Sequence, residues 1–280
     1  MKLEFTKMQG CGNDYVYING FTQKVEQDKK TGLVTALSDR HFGIGSDGVI
    51  FINPSDIADF EMEMYNADGS RAEMCGNGIR CVAKYVYDHG MTDSTMITIA
   101  SFGRIKPIVI TARNGRAELI RVDMGEPELT AAMIPVRSDK EQVIDEPIEA
   151  DGKELRMTCV SMGNPHAVIF EDPDTIGIEK TGSLIENHEV FPNRTNTEFV
   201  KIIDRNNVKM RVWERGTGET LACGTGCCAT GVACVLNGLT DRKITVHVLG
   251  GDIEVEWNED DNHVYMTGPA VTVFEGEVEI

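Results

Sequence analysis

The chain has 280 residues but no apolar run approaching the roughly 20 that a membrane-spanning helix needs. It is poor in basic residues, with 27 Lys and Arg against 45 Asp and Glu and a formal charge of −18. That balance excludes a nucleic-acid partner, whose phosphates require a basic face. It also argues against docking on an anionic membrane, and solubility accounts for the acidity. The opening MKLEFTKMQGCGND lacks the apolar core of a signal peptide, so a cytoplasmic protein is expected. There is no P-loop and no Rossmann GxGxxG after a strand, and nothing around Lys84 or Lys106 marks a pyridoxal Schiff base. The expectation is therefore no cofactor. The spacings Cys75-x5-Cys81 and Cys223-x3-Cys227-Cys228 do not form paired CxxC knuckles, so no metal site is expected. A disulfide framework belongs to short secreted chains. Cys81, Cys227, Cys228 and Cys234 fall in apolar helical stretches and read as small buried hydrophobes.

What the chain does contain is a duplication. Residues 74–93 read MCGNGIRCVAKYVYDHGMTD, and residues 222–241 read ACGTGCCATGVACVLNGLTD. With Cys75 set on Cys223, 148 residues later, Gly76 falls on Gly224, Gly78 on Gly226, and Gly90-Met91-Thr92-Asp93 on Gly238-Leu239-Thr240-Asp241. Upstream, Met62 to Tyr65 matches Met210 to Trp213 at the same offset. Gly12-Asn13 matches Gly163-Asn164 at an offset of 151, as an insertion in a surface loop would produce. Two copies are too few for a solenoid, so two homologous halves are expected. The length suits two domains of about 100–150 residues each.

Strands outnumber helices in each half. Segments 47–52, 61–66, 96–100, 105–112 and 117–123 read as strands in the first half, with Asn114-Gly115 as a hairpin turn between the last two. Segments 197–203, 208–214, 244–249, 253–257 and 263–267 repeat this in the second. The helix after each Cys-Gly is apolar on nearly every face, the mark of a buried helix. Gly90 and Gly238 are placed to end those helices. The expected architecture is α/β (α+β type): two pseudo-symmetric domains, each a curved, mostly antiparallel sheet around a central apolar helix, with an active site in the cleft between them. The expected halves are 1–125, plus a C-terminal strand near 270–280, and 126–269, joined through a connector punctuated by Pro127, Pro135 and Pro147.

A thiol becomes a useful base when something stabilises its thiolate, and the N-terminus of a helix does so. Cys75 and Cys223 each lie where a Gly-x-Gly turn enters a helix. Glycine lets a substrate approach the backbone, and the amides of Gly76, Asn77, Gly224 and Thr225 are candidates to bind a carboxylate. A thiolate on one side of an α-carbon and a thiol on the other would invert that centre, since such a pair supplies both a base and an acid near neutrality.

These blocks resemble a family. Met8-Gln9-Gly10-Cys11-Gly12-Asn13-Asp14, Asn66-Ala67-Asp68-Gly69-Ser70, Met74 to Cys81, Gly163-Asn164-Pro165-His166, Glu214-Arg215-Gly216-x-Gly218-Glu219-Thr220 and Ala222 to Gly226 are similar to the motifs of diaminopimelate epimerases, in order and over essentially the whole chain. The resemblance implies a pyridoxal-independent isomerase of lysine and peptidoglycan-precursor biosynthesis. Such an enzyme interconverts LL- and meso-2,6-diaminopimelate, a small-molecule substrate, and is a homodimer. It implies Cys75 and Cys223 as the catalytic pair, with Gly76, Asn77, Gly224 and Thr225 on the reacting carboxylate. Asn13, Asn66, Asn164, Asn196, Glu214 and Arg215 would hold the remaining amino and carboxylate groups. Arg215 offers a fork that a carboxylate accepts bidentately, and Glu214 is a partner for an ammonium. His166 is a candidate for tuning Cys75.

Gly48 stands where some members carry a substrate-contacting glutamine. Two other functions are compatible with the cysteines. One is a pyridoxal-independent racemase of another amino acid, such as histidine, on the same scaffold. The other is a redox-responsive binding protein in which Cys75 and Cys223 form a disulfide.

Overall fold

The computed structural model describes residues 2–72 and 74–279; Met1, Glu73 and Ile280, the last being the end of the expected C-terminal strand, lie outside the described residues. The chain forms two compact units, 1–122 with 268–280, and 123–267.

The first unit runs β1 (Lys2–Gly10), β2 (Asn13–Asn19), α1 (Gln27–Ser38), β3 (Gly48–Asn53), β4 (Phe60–Asn66), β5 (Arg71–Ala72), α2 (Gly76–Asp88), β6 (Met96–Ser101), β7 (Arg104–Arg113) and β8 (Arg116–Gly125), whose end passes into the second unit. β1 is antiparallel to β2, β2 parallel to β3 and β3 antiparallel to β4; β4 is parallel to β6, and β6–β7 and β7–β8 are antiparallel. Asn114 and Gly115 both have positive φ, 51° and 73°, which makes the tight β7–β8 turn.

The second unit has β9 (Glu146–Ala150), β10 (Lys153–Ser161), β11 (Pro165–Ile169), α3 (Ile178–Glu186), β12 (Asn196–Ile202), β13 (Asn207–Glu214), β14 (Gly218–Thr220), α4 (Gly224–Leu236), β15 (Lys243–Val248), β16 (Gly251–Trp257) and β17 (Val264–Pro269). Its strands repeat the directions of the first unit: β10–β11 antiparallel, β11–β12 parallel, β12–β13 antiparallel, β13–β15 parallel, then β15–β16 and β16–β17 antiparallel. A last strand, β18 (Val271–Glu279), lies antiparallel to β1 in the first unit.

Each sheet bends around one helix. α2 packs on β1, β2, β6 and β7, while α4 packs on β10, β11, β12, β15 and β16. Residues 227–234 of α4 are all buried, as its apolar sequence requires. Both helices end alike. Gly90 and Gly238 have φ of 66° and 67°, and the next amides, Met91 and Leu239, donate to Val86 and Cys234 carbonyls at 2.9 Å. This is the left-handed glycine stop that satisfies the last carbonyls.

The sequence suggests one helix per half, and the structure adds a second to each. α1 buries Leu33, Val34 and Leu37 in a cluster with Val16, Ile18, Val49, Phe51 and Tyr65. α3 buries Ile178 and Ile185 beside Phe191 and Phe199. Gly32 and Gly182 each lower helix propensity by about 1 kcal/mol. Burying each large aliphatic chain contributes about 1.5–3 kcal/mol, so packing overrides the local signal. At Gly182 the glycine is also required by space: a Cβ would lie 2.6 Å from the Trp213 side chain. No helix among the described residues is long and apolar enough to cross a membrane.

Candidate active site

In the first unit Cys75 is the N-cap of α2. Its backbone is extended (φ −135°, ψ 114°), and its Sγ accepts the amide of Gly78 at 3.2 Å. Glycine keeps that third helical position tight, since a Cβ there would stand 2.8 Å from Ile50 Cδ1 and 3.3 Å from Cys75 Cβ. The thiol also donates to Asn13 Oδ1 at 3.0 Å. Asn13 Nδ2 in turn donates to Asp47 at 2.7 Å, and Arg40 ties Asp47 to Asp14. Burial works against the Asp14 carboxylate, but bonds from Arg40 and Lys7 outweigh it and hold its pKa below the usual value. Asn77 is buried, with its Oδ1 accepting from Arg80 at 2.9 Å. Asn66 ends β4 opposite Gly48 and donates to Ser70 Oγ. Gly48 itself has no room for a side chain, since a Cβ would lie 2.0 Å from the Tyr65 carbonyl oxygen.

In the second unit Cys223 caps α4 with the same backbone (φ −121°, ψ 112°) and accepts the Gly226 amide at 3.4 Å. Thr225 Oγ1 lies 3.5 Å from its sulfur. Thr225 also receives Asn164 Nδ2 at 3.3 Å. Asn196 spends its amide on the backbone, donating to the Pro165 carbonyl and accepting the Arg215 amide at 2.9 Å. It therefore sets the loop that carries Glu214 and Arg215. The Arg215 guanidinium donates to the Asn193 carbonyl at 3.0 Å. Glu214 ends β13, where Thr220 Oγ1 donates to it at 2.5 Å. Burial raises the Glu214 carboxyl above its ordinary value. Burial raises the Cys223 thiol well above its own, and the negative fields of Glu214 and Glu198 add to that.

His166 belongs to this second group. It is fully buried, with Nδ1 2.7 Å from Glu198 Oε1 and Nε2 3.1 Å from Asn164 Oδ1. Each unit thus gathers its own share of the expected residues: Asn13, Cys75, Gly76 and Asn77, with Asn66 across from Gly48, and Asn164, His166, Asn196, Glu214, Arg215, Cys223, Gly224 and Thr225. In both, the first-turn amides point out of the helix end, where an anion binds.

Several supporting residues are absent from the sequence reading. Asp47 holds Asn13. Arg80, fully buried, binds Asn77 and the Gly76 carbonyl. Glu186 accepts from Trp213 Nε1 at 2.7 Å and the Gly216 amide at 2.8 Å, so it shapes the Arg215 loop. Glu198 lies two residues after Asn196 in β12, on the same face of the strand. That alternation was the available signal.

The sequence matches the family model described as diaminopimelate epimerase over residues 5–130 and 158–273. It is 58% identical over 279 residues to the diaminopimelate epimerase of Acetivibrio thermocellus, covering 99% of each chain. It is likewise 58% identical over 279 residues to that of Methanococcus maripaludis, covering 99% of this chain and 100% of the relative. Among solved structures, a phenazine biosynthesis protein of the PhzF family from Bacillus anthracis superposes with a TM-score of 0.73 at 17% identity, covering 100% of both chains. A hydroxyproline epimerase from Agrobacterium vitis does so with a TM-score of 0.70 at 14% identity, covering 99% of this chain and 92% of that one. These two likenesses establish the fold.

Proposed function

The chain belongs to the diaminopimelate epimerase family, and from that premise we propose that it inverts one α-carbon of LL-2,6-diaminopimelate to give the meso isomer, with Cys75 and Cys223 as the two proton-transferring groups. The observation that carries this is the repeated cap: in each unit a cysteine sulfur takes the amide three residues on, at 3.2 and 3.4 Å, at the mouth of a buried helix. Inversion requires a proton to leave one face of the carbon and another to arrive at the opposite face. Two thiols, one ionised and one not, provide this without further chemistry. Amides of Gly76, Asn77, Gly224 and Thr225 bind the reacting carboxylate and stabilise the charge that grows on it as the proton departs.

The remaining residues recognise the rest of the zwitterion. Asn13, Asn66, Asn164 and Asn196 present amides to its amino and carboxylate groups, or hold the backbone that does. Glu214 faces an ammonium, and Arg215 offers its fork to the distal carboxylate. High proton affinity at Cys223 supports its entering the reaction as the acid when Cys75 is the base. The enzyme is further read as a cytoplasmic homodimer. The exposed Val271, Val273 and Phe274 on β18 support a second copy as the partner, and sedimentation equilibrium tests it.

The reaction is tested by incubating reduced protein with LL-diaminopimelate in heavy water, with no cofactor added. Meso product carrying deuterium at one α-carbon is expected. Folded protein that yields neither exchange nor meso product would refute the assignment, and a panel of other amino acids would then find the substrate.

A further inference from the structure

The pair His166–Glu198 is fully buried in the second unit, 2.7 Å apart, and the Glu198 carboxylate fills the space over Gly226, where a Cβ would lie 2.6 Å from Oε1. Its other oxygen, Oε2, is also buried and meets no donor among the described residues. A buried carboxylate with one oxygen left unpartnered costs stability. Packing alone does not call for it: in the duplicate unit the same place, over Gly78, is filled by Ile50.

The line of contacts leads from Glu198 to the site. His166 Nδ1 faces a carboxylate oxygen, and Nε2 faces the carbonyl oxygen of Asn164 at 3.1 Å. Both oxygens accept, so both ring nitrogens donate. With its oxygen taken by Nε2, the Asn164 amide must turn its NH2 toward Thr225, at 3.3 Å. That is the orientation a substrate carboxylate needs, since it can only accept.

We infer that Glu198 is a positioning residue for the epimerisation, acting through His166 to fix which end of the Asn164 amide faces Thr225 and the substrate. The inference rests on the reading that Asn164 and Cys223 act on diaminopimelate. Without the carboxylate, His166 is free to present a bare Nε2, and the amide rotates to set its carbonyl oxygen against the substrate's negative charge.

A double-mutant cycle tests this. Glu198→Ile, which installs the residue of the duplicate unit, should raise KM for LL-diaminopimelate about tenfold or more with a smaller change in kcat; in an Asn164→Ala background it should cost less than about twofold, because the group it acts through is gone. Equal losses in both backgrounds, or no loss in the otherwise wild-type enzyme, overturn the inference. Unchanged kinetics for Asn164→Ala alone would overturn the site reading and the inference together. Should Glu198→Ile fail to fold, the wild-type protein decides the matter. With 15N-labelled histidine, and the His166 signals assigned by their loss in His166→Gln, both ring nitrogens should carry protons. A bare Nε2 overturns the inference.

Discussion

Cys75 and Cys223 stand on the same scaffold, but what lies beneath the two caps differs. In each unit a cysteine caps a buried helix, an amide at the third helical position reaches its sulfur, and a glycine there leaves room for what packs below. The parallel ladders match as well, with Tyr15 beside Gly48 in one unit and His166 beside Asn196 in the other. Under Cys75 the neighbours are Ile50 and Tyr15; under Cys223 lies Glu198, which is bonded to His166. At the strand end 148 residues on from Asn66 stands Glu214. Duplication preserved the backbone devices that place a thiol, while the charges around the two thiols diverged. A symmetric pair would have equal proton affinities and no division of labour. Here burial of the second thiol, with the carboxylates of Glu214 and Glu198 adding to it, holds its proton on.

The first way to break this comparison is to remove either sulfur. Cys75→Ala and Cys223→Ala should each lower epimerisation by about 10³-fold or more while the circular dichroism spectrum is retained. Near-normal turnover from either variant would end the two-thiol scheme. Next in size is the reverse exchange, Ile50→Glu, which puts a carboxylate beneath Cys75 where Tyr15 supplies no counter-charge. Leaving a charge buried and unpaired costs about 3–5 kcal/mol, so the urea midpoint should fall sharply. A wild-type midpoint would show that the two floors are interchangeable.

Arg215→Met should raise KM about 10- to 100-fold with kcat less affected, as expected when a charge-assisted contact to the distal carboxylate is lost; unchanged kinetics would remove Arg215 from the site. Glu214→Gln sharpens the electrostatic contrast. The negative charge favours the protonated thiol, so its removal should lower the pH at which Cys223 becomes reactive. Alkylation of Cys223 by iodoacetamide should still be rising above pH 9 in the parent protein, and the curve should move to lower pH in the variant. A curve moved upward would mean that Glu214 stabilises the thiolate. Smallest is Cys227→Ala. This thiol is fully buried in α4, so stability should fall by about 1 kcal/mol with turnover nearly unchanged. Loss of turnover in the folded variant would place Cys227 in the chemistry.

Much of this was legible before the structure. The Cys-Gly blocks, the apolar run of α4 and the glycines at 90 and 238 are local signals, and local signals survive in sequence. α1 and α3 were not legible because their stability comes from partners far along the chain, Phe51 and Tyr65 for one and Phe199 for the other. His166 was visible as a candidate tuner of Cys75, but its partners were not. Its contact with Glu198 arises from pairing β11 with β12, and a glutamate in a strand reads as solvent-facing until that pairing is known. Glu186 was hidden for the same reason: the donors it accepts from, Trp213 Nε1 and the Gly216 amide, lie some 30 residues on.

The pairing of β1 with β18 has a consequence for how the protein is made. On the ribosome β1, with Leu3 and Phe5, emerges long before its partner, which follows roughly 260 residues later. At about 5–20 residues per second, that is a wait of roughly 13 to 50 seconds. During that time all of the second unit is synthesised, while the first has one strand edge open. An unpaired edge is a template for any passing strand, so nascent chains lie most open to misassociation along β1, until β18 arrives.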